Sequence, residues 1–367
     1  MARNYIYSAT DKALFDALNQ AKISNSELRE LFVTRGVLVS KDTERVDLAK
    51  NFSKYVHDYY DHQKIAASLG TTPRKEKTTF KEISNVLDKD VLIRSAEKLR
   101  DLVESNNDLC HVYLSSENVI SVKITYETLD YSNSDFKQVS FKEAEIEIEF
   151  SGDNVIVRGQ DNPHVEEYIE NLFSYISNFS NCEQLDVEEI SLLNISSPTL
   201  KTEFFTKFIS SLTGHVVEDV TDVYVFKPKK LEDMWKKEQD PYANECHITK
   251  ISLKGQGVLV SEELDSMYEK GFYIWKIRWT LKENLPDSDI FEFEAQFSNP
   301  EECTGFSYMP KGVIRYKGEG EFNKTKVQLT HKENTAYTRF LENAARQSMK
   351  FIQDKALKEG TNESNSI

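Results

Sequence analysis

The spacing of apolar residues changes near Leu109, from helical before it to alternating after it. Residues 8–22 place Leu14, Phe15 and Leu18 on one face of a predicted amphipathic helix. Residues 24–56 then read as helix, short extended turn, helix. Ser24 and Glu27 have the spacing of a capping box, and Leu28, Leu31 and Phe32 form the apolar stripe. Arg35-Gly36 ends this helix, because glycine enters the left-handed region without a Cβ clash. Val37–Val39 read as extended, with Ser40, Asp42 and Thr43 offering caps for a second helix. Its expected buried face is Val46, Leu48, Ala49, Phe52, Tyr55 and Val56, and the helix is expected to continue through His57–Leu69 to Gly70. Residues 82–106 repeat the helical pattern, so 1–106 form an expected helical N-terminal domain.

Beyond Leu109, alternation predicts strands at HVYL, VISVKITYETL, VSFKEAEIEIEF and NVIVRG. Glu143, Glu145, Glu147 and Glu149 line one side of the third, opposite Ala144, Ile146, Ile148 and Phe150. Asp161-Asn162-Pro163 opens a helix to about residue 179. A strand, a helix and a strand follow over 186–230, the helix burying Phe204, Phe205 and Phe208. From residue 246 come further strands, among them FYIWKIRWTL and IFEFEAQF, then a closing helix with a Thr330–Glu333 capping box. The expected fold class is α+β: the helical domain, antiparallel-sheet parts at 107–230 and 231–355, and a tail at 356–367 disordered by composition.

FYIWKIRWTL puts Tyr273, Trp275, Ile277, Trp279 and Leu281 on one face and Lys276 and Arg278 on the other. IFEFEAQF turns Phe291, Phe293, Ala295 and Phe297 inward and Glu292 and Glu294 outward. Paired as a hairpin, the basic and acidic faces meet as cross-strand ion pairs, with the aromatics in the core. A basic and aromatic strand is also a platform on which unpaired bases stack, though the matching acidic strand favours the structural reading.

Charge sharpens the division of the chain. The net charge is −15, yet residues 1–105 hold 18 Lys/Arg against 16 Asp/Glu, net +2, leaving 28 against 45, net −17. Affinity for a polyanion follows local patches rather than the total. Hydrophobic content of 39% suits sizeable cores. No apolar run is long enough for a membrane span, and Cys110, Cys182, Cys246 and Cys303 form no CxxC pair, so a reducing, cytoplasmic setting is expected.

The 24–56 stretch resembles the SAP and helix–extended-loop–helix group of DNA-binding modules. Leu28, Leu31 and Phe32 match the first helix, Gly36-Val37 the glycine-apolar turn, and Ser40, Arg45 and Leu48 the serine, basic and leucine positions. The segment between serine and the basic position is longer here and lacks the family's glycine. The resemblance covers about a tenth of the chain and implies DNA contact through Lys41, Arg45 and Lys50. Arg35 adjoins this turn, and a proline-bearing basic loop with Arg74, Lys75, Lys77 and Lys81 follows it. The bland readings are a helical hairpin docked on a neighbouring domain and a solvated linker.

Catalytic motifs are sparse. Asp130 with Asp135 and Lys137 has the spacing of a metal-dependent nuclease, but it lies in a Ser/Asn-rich turn. The glutamates of 143–149 form a solvated face more simply than a cation site, and His57, Asp58, Asp61 and His62 lack zincin spacing. No phosphate loop or nucleophile elbow is present, and no cofactor or metal is expected. The sequence thus points to a non-enzymatic nucleic-acid-binding or adaptor subunit with a protein partner or self-association, by analogy in a bacterial multiprotein system such as phage defence. The alternatives are the nuclease and a scaffold or homo-oligomer without nucleic acid.

Overall fold

The structure, a computed structural model, describes residues 9–69, 75–86, 88–132, 135–152, 154–228 and 248–364. In chain order its elements begin with four helices, α1 (Asp11–Leu18), α2 (Asn25–Val33), α3 (Arg45–Phe52) and α4 (Tyr59–Leu69), then β1 (Thr78–Ile83) and α5 (Lys89–Ser105). Next come β2 (Leu109–Ser116), β3 (Val119–Leu129), β4 (Val139–Ser151), β5 (Asn154–Gln160), α6 (Pro163–Ser180), β6 (Val187–Glu189) and α7 (Pro198–Ser210). The remainder is β7 (His215–Phe226), β8 (Lys250–Lys254), α8 (Glu262–Glu269), β9 (Tyr273–Glu283), β10 (Ile290–Asn299), β11 (Thr304–Ile314), β12 (Tyr316–Gly318), β13 (Glu321–Phe322) and α9 (His331–Ser364). The class is α+β with antiparallel strand pairing. Two compact units divide the chain: one holds residues 1–75, 88–148 and 167–183, the other 76–87, 149–166 and 184–367.

In the first unit α1–α4 share a core in which Leu18, Leu28, Phe32, Leu48 and Phe52 are buried, joined by Phe136. The capping box forms as expected: Ser24 Oγ accepts from the Glu27 amide, and the Ser24 amide donates to the Glu27 carboxylate. Gly36 takes φ 71°, the left-handed stop expected of it. The second helix differs from expectation. It starts at Arg45 without a side-chain cap and ends at Phe52, and Val56 is 90% exposed. The break has a local cause. Asp58 Oδ1 accepts from the Asp61 amide and His57 Nε2 contacts the Phe52 carbonyl, so a fresh helix start follows the end of α3. In this unit β2, β3 and β4 lie side by side in that order. Ala144, Ile146 and Ile148 are buried while the alternating glutamates are not, as the pattern requires.

The second unit contains strands in the order β5–β1–β11–β10–β9–β7–β8, with β6 also paired to β1. Here β1 corrects the helix start expected at residue 82 and takes Lys81 out of the expected basic loop, whose Lys75 and Lys77 lie in irregular backbone just before it. Thr78, Thr79, Phe80 and Ile83 favour a pleated strand, which pairs with β5 from Thr78↔Gln160 to Ile83↔Val155. Asp88 then caps α5, its carboxylate accepting from the Asp90 amide. One face of this sheet is covered by α7 and α9. Phe204 and Phe208 of α7 meet Phe297 and Trp279, and Tyr337 of α9 meets Phe291 and Phe293. The Thr330–Glu333 capping box opens α9, which continues helical through Ser364 where composition predicts a disordered tail. Once a helix is docked, each added residue gains a hydrogen bond without a new nucleation cost, so polar residues can extend it. Among the described residues no helix is long and apolar enough to cross a membrane.

Candidate anion-binding face of the second unit

The sheet face turned away from α7 and α9 carries a dense charge cluster, and the strand register builds it. Lys254 of β8 lies opposite Asp222 of β7, Asp222 opposite Arg278 of β9, Arg278 opposite Glu294 of β10, and Glu294 opposite Met309 of β11. Thr78 pairs with Tyr308, which brings Lys77 beside Met309 at the end of the row. Residues directly opposite in antiparallel strands hold their Cβ atoms roughly 5 Å apart, so such a row is a continuous line of neighbours.

Glu294 is the centre. It lies on the outward face with Arg278 as its cross-strand partner, as the alternation indicates, yet it is only 3% exposed. Four cations surround it: Lys77 at 3.0 Å, Lys276 and Arg278 each at 2.9 Å, and Lys311 at 3.3 Å. Burial alone raises the Glu294 pKa, but hydrogen bonds from Lys276, Arg278 and Lys77 outweigh it and hold the carboxyl well below the usual carboxylate range. The Lys276 pKa is lowered by burial, and the positive charges of Lys77 and Arg278 add to that against the pull of Glu294. Arg278 also donates to Asp222 at 3.2 Å, and Lys254 stands 3.8 Å from Asp222.

Aromatic rings interleave with these cations. Lys276 lies 5.0 Å and Lys254 5.9 Å from the Tyr224 ring centroid. Tyr224 meets Trp275 edge-on at 6.0 Å, and Lys250 stands 5.3 Å from the Trp275 ring. The linked group thus sets six cations (Lys77, Lys250, Lys254, Lys276, Arg278, Lys311) against two carboxylates, Asp222 and Glu294. The adjoining Lys326–Glu292 ion pair leaves the excess unchanged. Like charges roughly 4–8 Å apart repel by about 2–4 kcal/mol at an effective dielectric of 20, so one carboxylate does not balance four cations.

The cations expected from sequence are distributed differently. The Arg45 guanidinium donates both arms to the carbonyls of Gln20 and Ile23. Arg35 pairs with Asp61 and lies 5.4 Å from the Phe52 ring and 5.7 Å from that of Tyr55. Both therefore brace the helical module. Arg29 donates to the carbonyls of Ser40 and Lys41 and so pins the extended turn. Lys41, Lys50 and Lys75 are exposed. Arg74 lies outside the described residues, and Lys77 belongs to the Glu294 cluster. Of the nuclease candidates, Asp130 accepts from the amide and hydroxyl of Ser132, and Asp135 and Lys137 form one short 3₁₀ turn. Among the described residues no group of three or more His, Cys, Asp or Glu side chains is placed to hold a metal ion. Sequence reasoning missed Asp222, Tyr224, Lys254 and Lys311. Each sits on a different strand from the Arg278–Glu294 pair, and only the strand order brings them in.

No protein-family model matches the chain, and no curated protein matches it either.

Proposed function

We propose that the protein is a non-catalytic nucleic-acid-binding component whose phosphate contacts come from the cationic sheet face of the second unit. The observation that carries this reading is the placement of Lys77, Lys276, Arg278 and Lys311 around the single carboxylate of Glu294. Cations gathered beyond their own counter-charges attract an external anion, and several of them spread across adjacent strands suit the repeated phosphates of a nucleic acid. Lys41 and Lys50, exposed on the SAP-like module, offer a secondary contact.

The test is fluorescence anisotropy of labelled oligonucleotides on the full chain over a range of salt concentrations. The Lys276→Ala/Lys311→Ala double variant should bind more weakly. The slope of log affinity against log salt should fall by about 1.4, at roughly 0.7 for each phosphate of a single strand that is no longer neutralised. Glu294→Gln removes the competing internal anion and should bind more tightly than wild type. Unchanged affinity and slope in the double variant would remove this face from consideration.

A further inference from the structure

A second register row lies beside the charged one, and it contains no acid. Ser252 of β8 pairs with Tyr224, Tyr224 with Lys276, Lys276 with Gln296, and Gln296 with Ser307 of β11. An aromatic ring, an amide, hydroxyls and one ammonium thus stand next to the line of Lys254, Arg278 and Lys77. The Ser307 hydroxyl is fully buried and makes no hydrogen bond, a state that ordinarily costs free energy. Its neighbour across the pair is the half-buried Gln296, which has both a donor and an acceptor at its tip.

We infer that the two rows together accept single-stranded nucleic acid lying across the strands, with phosphates over Lys254, Arg278 and Lys77, the cations of the row that also holds Asp222 and Glu294, and bases over Tyr224, Lys276 and Gln296. This rests on the reading of the face as a nucleic-acid surface and specifies its ligand. The charges explain attraction to any polyanion, whereas the second row explains a strand with unpaired bases. A duplex hides its base faces, so it gains nothing from stacking on a Tyr224 ring. Tyr224 is half-buried, and a base that displaces the lysine heads from its ring keeps Lys254 and Lys276 close by for the adjoining phosphates. Gln296, half-buried and carrying a donor and an acceptor at its tip, supplies hydrogen bonds to Watson–Crick base edges, which are exposed only when unpaired. Six adjacent strands spaced roughly 4.8 Å apart span about 24 Å, the length of a few extended nucleotides.

The experiment compares oligo(dT), oligo(U) and a DNA duplex of equal length on the full chain, for wild type, Tyr224→Leu, Tyr224→Phe and the Lys276→Ala/Lys311→Ala variant. The expected result is tighter binding of the single strands than of the duplex. Tyr224→Leu should lose about 5- to 150-fold in single-strand affinity with its salt slope intact, and Tyr224→Phe should retain the wild-type value. If the duplex binds as tightly as the single strands, or Tyr224→Leu binds them like wild type while the lysine variant is weakened, the single-strand assignment is overturned and the polyanion face stands. If the lysine variant matches wild type on every ligand, the polyanion reading itself fails.

Discussion

Single residues show where alternation is informative and where it stops. Arg278 and Glu294 are a pair that sequence can find, because they lie on strands joined by one short turn and their faces follow from period two. That Glu294 is buried does not follow, since its burial comes from Lys77, Lys276 and Lys311 closing over it. Glu333 is the opposite case, fully legible as a capping-box residue yet acquiring an extra partner. It accepts from the Thr330 amide at 2.8 Å and takes both arms of Arg315, at 2.6 and 2.8 Å. Hydrogen bonds from Arg315, opposed by burial and aided by Thr330, hold its pKa at about 2, below the ordinary 4.5. Folding therefore favours the ionised form. The stability this contributes is present above pH 4.5 and is lost as pH falls toward 2. Urea unfolding of wild type and Glu333→Gln across that range should show a difference that shrinks with acid; a difference independent of pH would contradict the assignment.

At the level of elements, helix starts are readable and helix ends less so. Ser24–Glu27 and Thr330–Glu333 are local signals within one turn, and both form. The break after Phe52 depends on His57 and Asp58 acting on backbone groups, and the helical spacing of neighbouring apolar residues conceals it. The α2–α3 pair also shows how an arginine at a helix start can be structural. Arg45 is half-buried and bridges two carbonyls of the α1–α2 connection. A lysine cannot fork between them, so Arg45→Lys should destabilise the full chain by about 1–3 kcal/mol, the cost of leaving a half-buried acceptor unmet. Lys41→Ala, on an exposed turn, should change stability by no more than about 0.5 kcal/mol. Chemical denaturation distinguishes the two, and equal effects would deny Arg45 its bracing role.

Across the molecule, the α+β class is legible from the change of period, while the strand order is not. Nothing in the sequence places residue 78 beside residue 308, yet that pairing brings Lys77 to Glu294. A second long-range device fixes α9 to its sheet. Arg158 of β5, 3% exposed, donates twice to Glu342 of α9 at 2.6 and 2.8 Å, and Tyr308 of β11 donates to the same carboxylate at 2.6 Å. Arg158 also pairs with Glu149, so Glu342→Gln leaves the guanidinium one of its two carboxylates and should cost about 1–3 kcal/mol, while Glu342→Leu combined with Arg158→Met should recover part of that stability. Urea unfolding of wild type and these two variants tests this, and a double variant as unstable as the single one would show that packing rather than charge governs the contact.

The seam between β1 and β11 also sets a timetable for synthesis. The Thr79 hydroxyl donates to the Phe306 carbonyl, 227 positions further along. At translation rates of about 5–20 residues per second, that partner emerges roughly 10–45 seconds after β1 does. Once β5 and β6 have emerged, the Thr78–Phe80 end of β1 still has one border open, vulnerable to pairing with another nascent chain. A ribosome-bound chain stopped before residue 304 should therefore be the stage at which this protein most needs a chaperone.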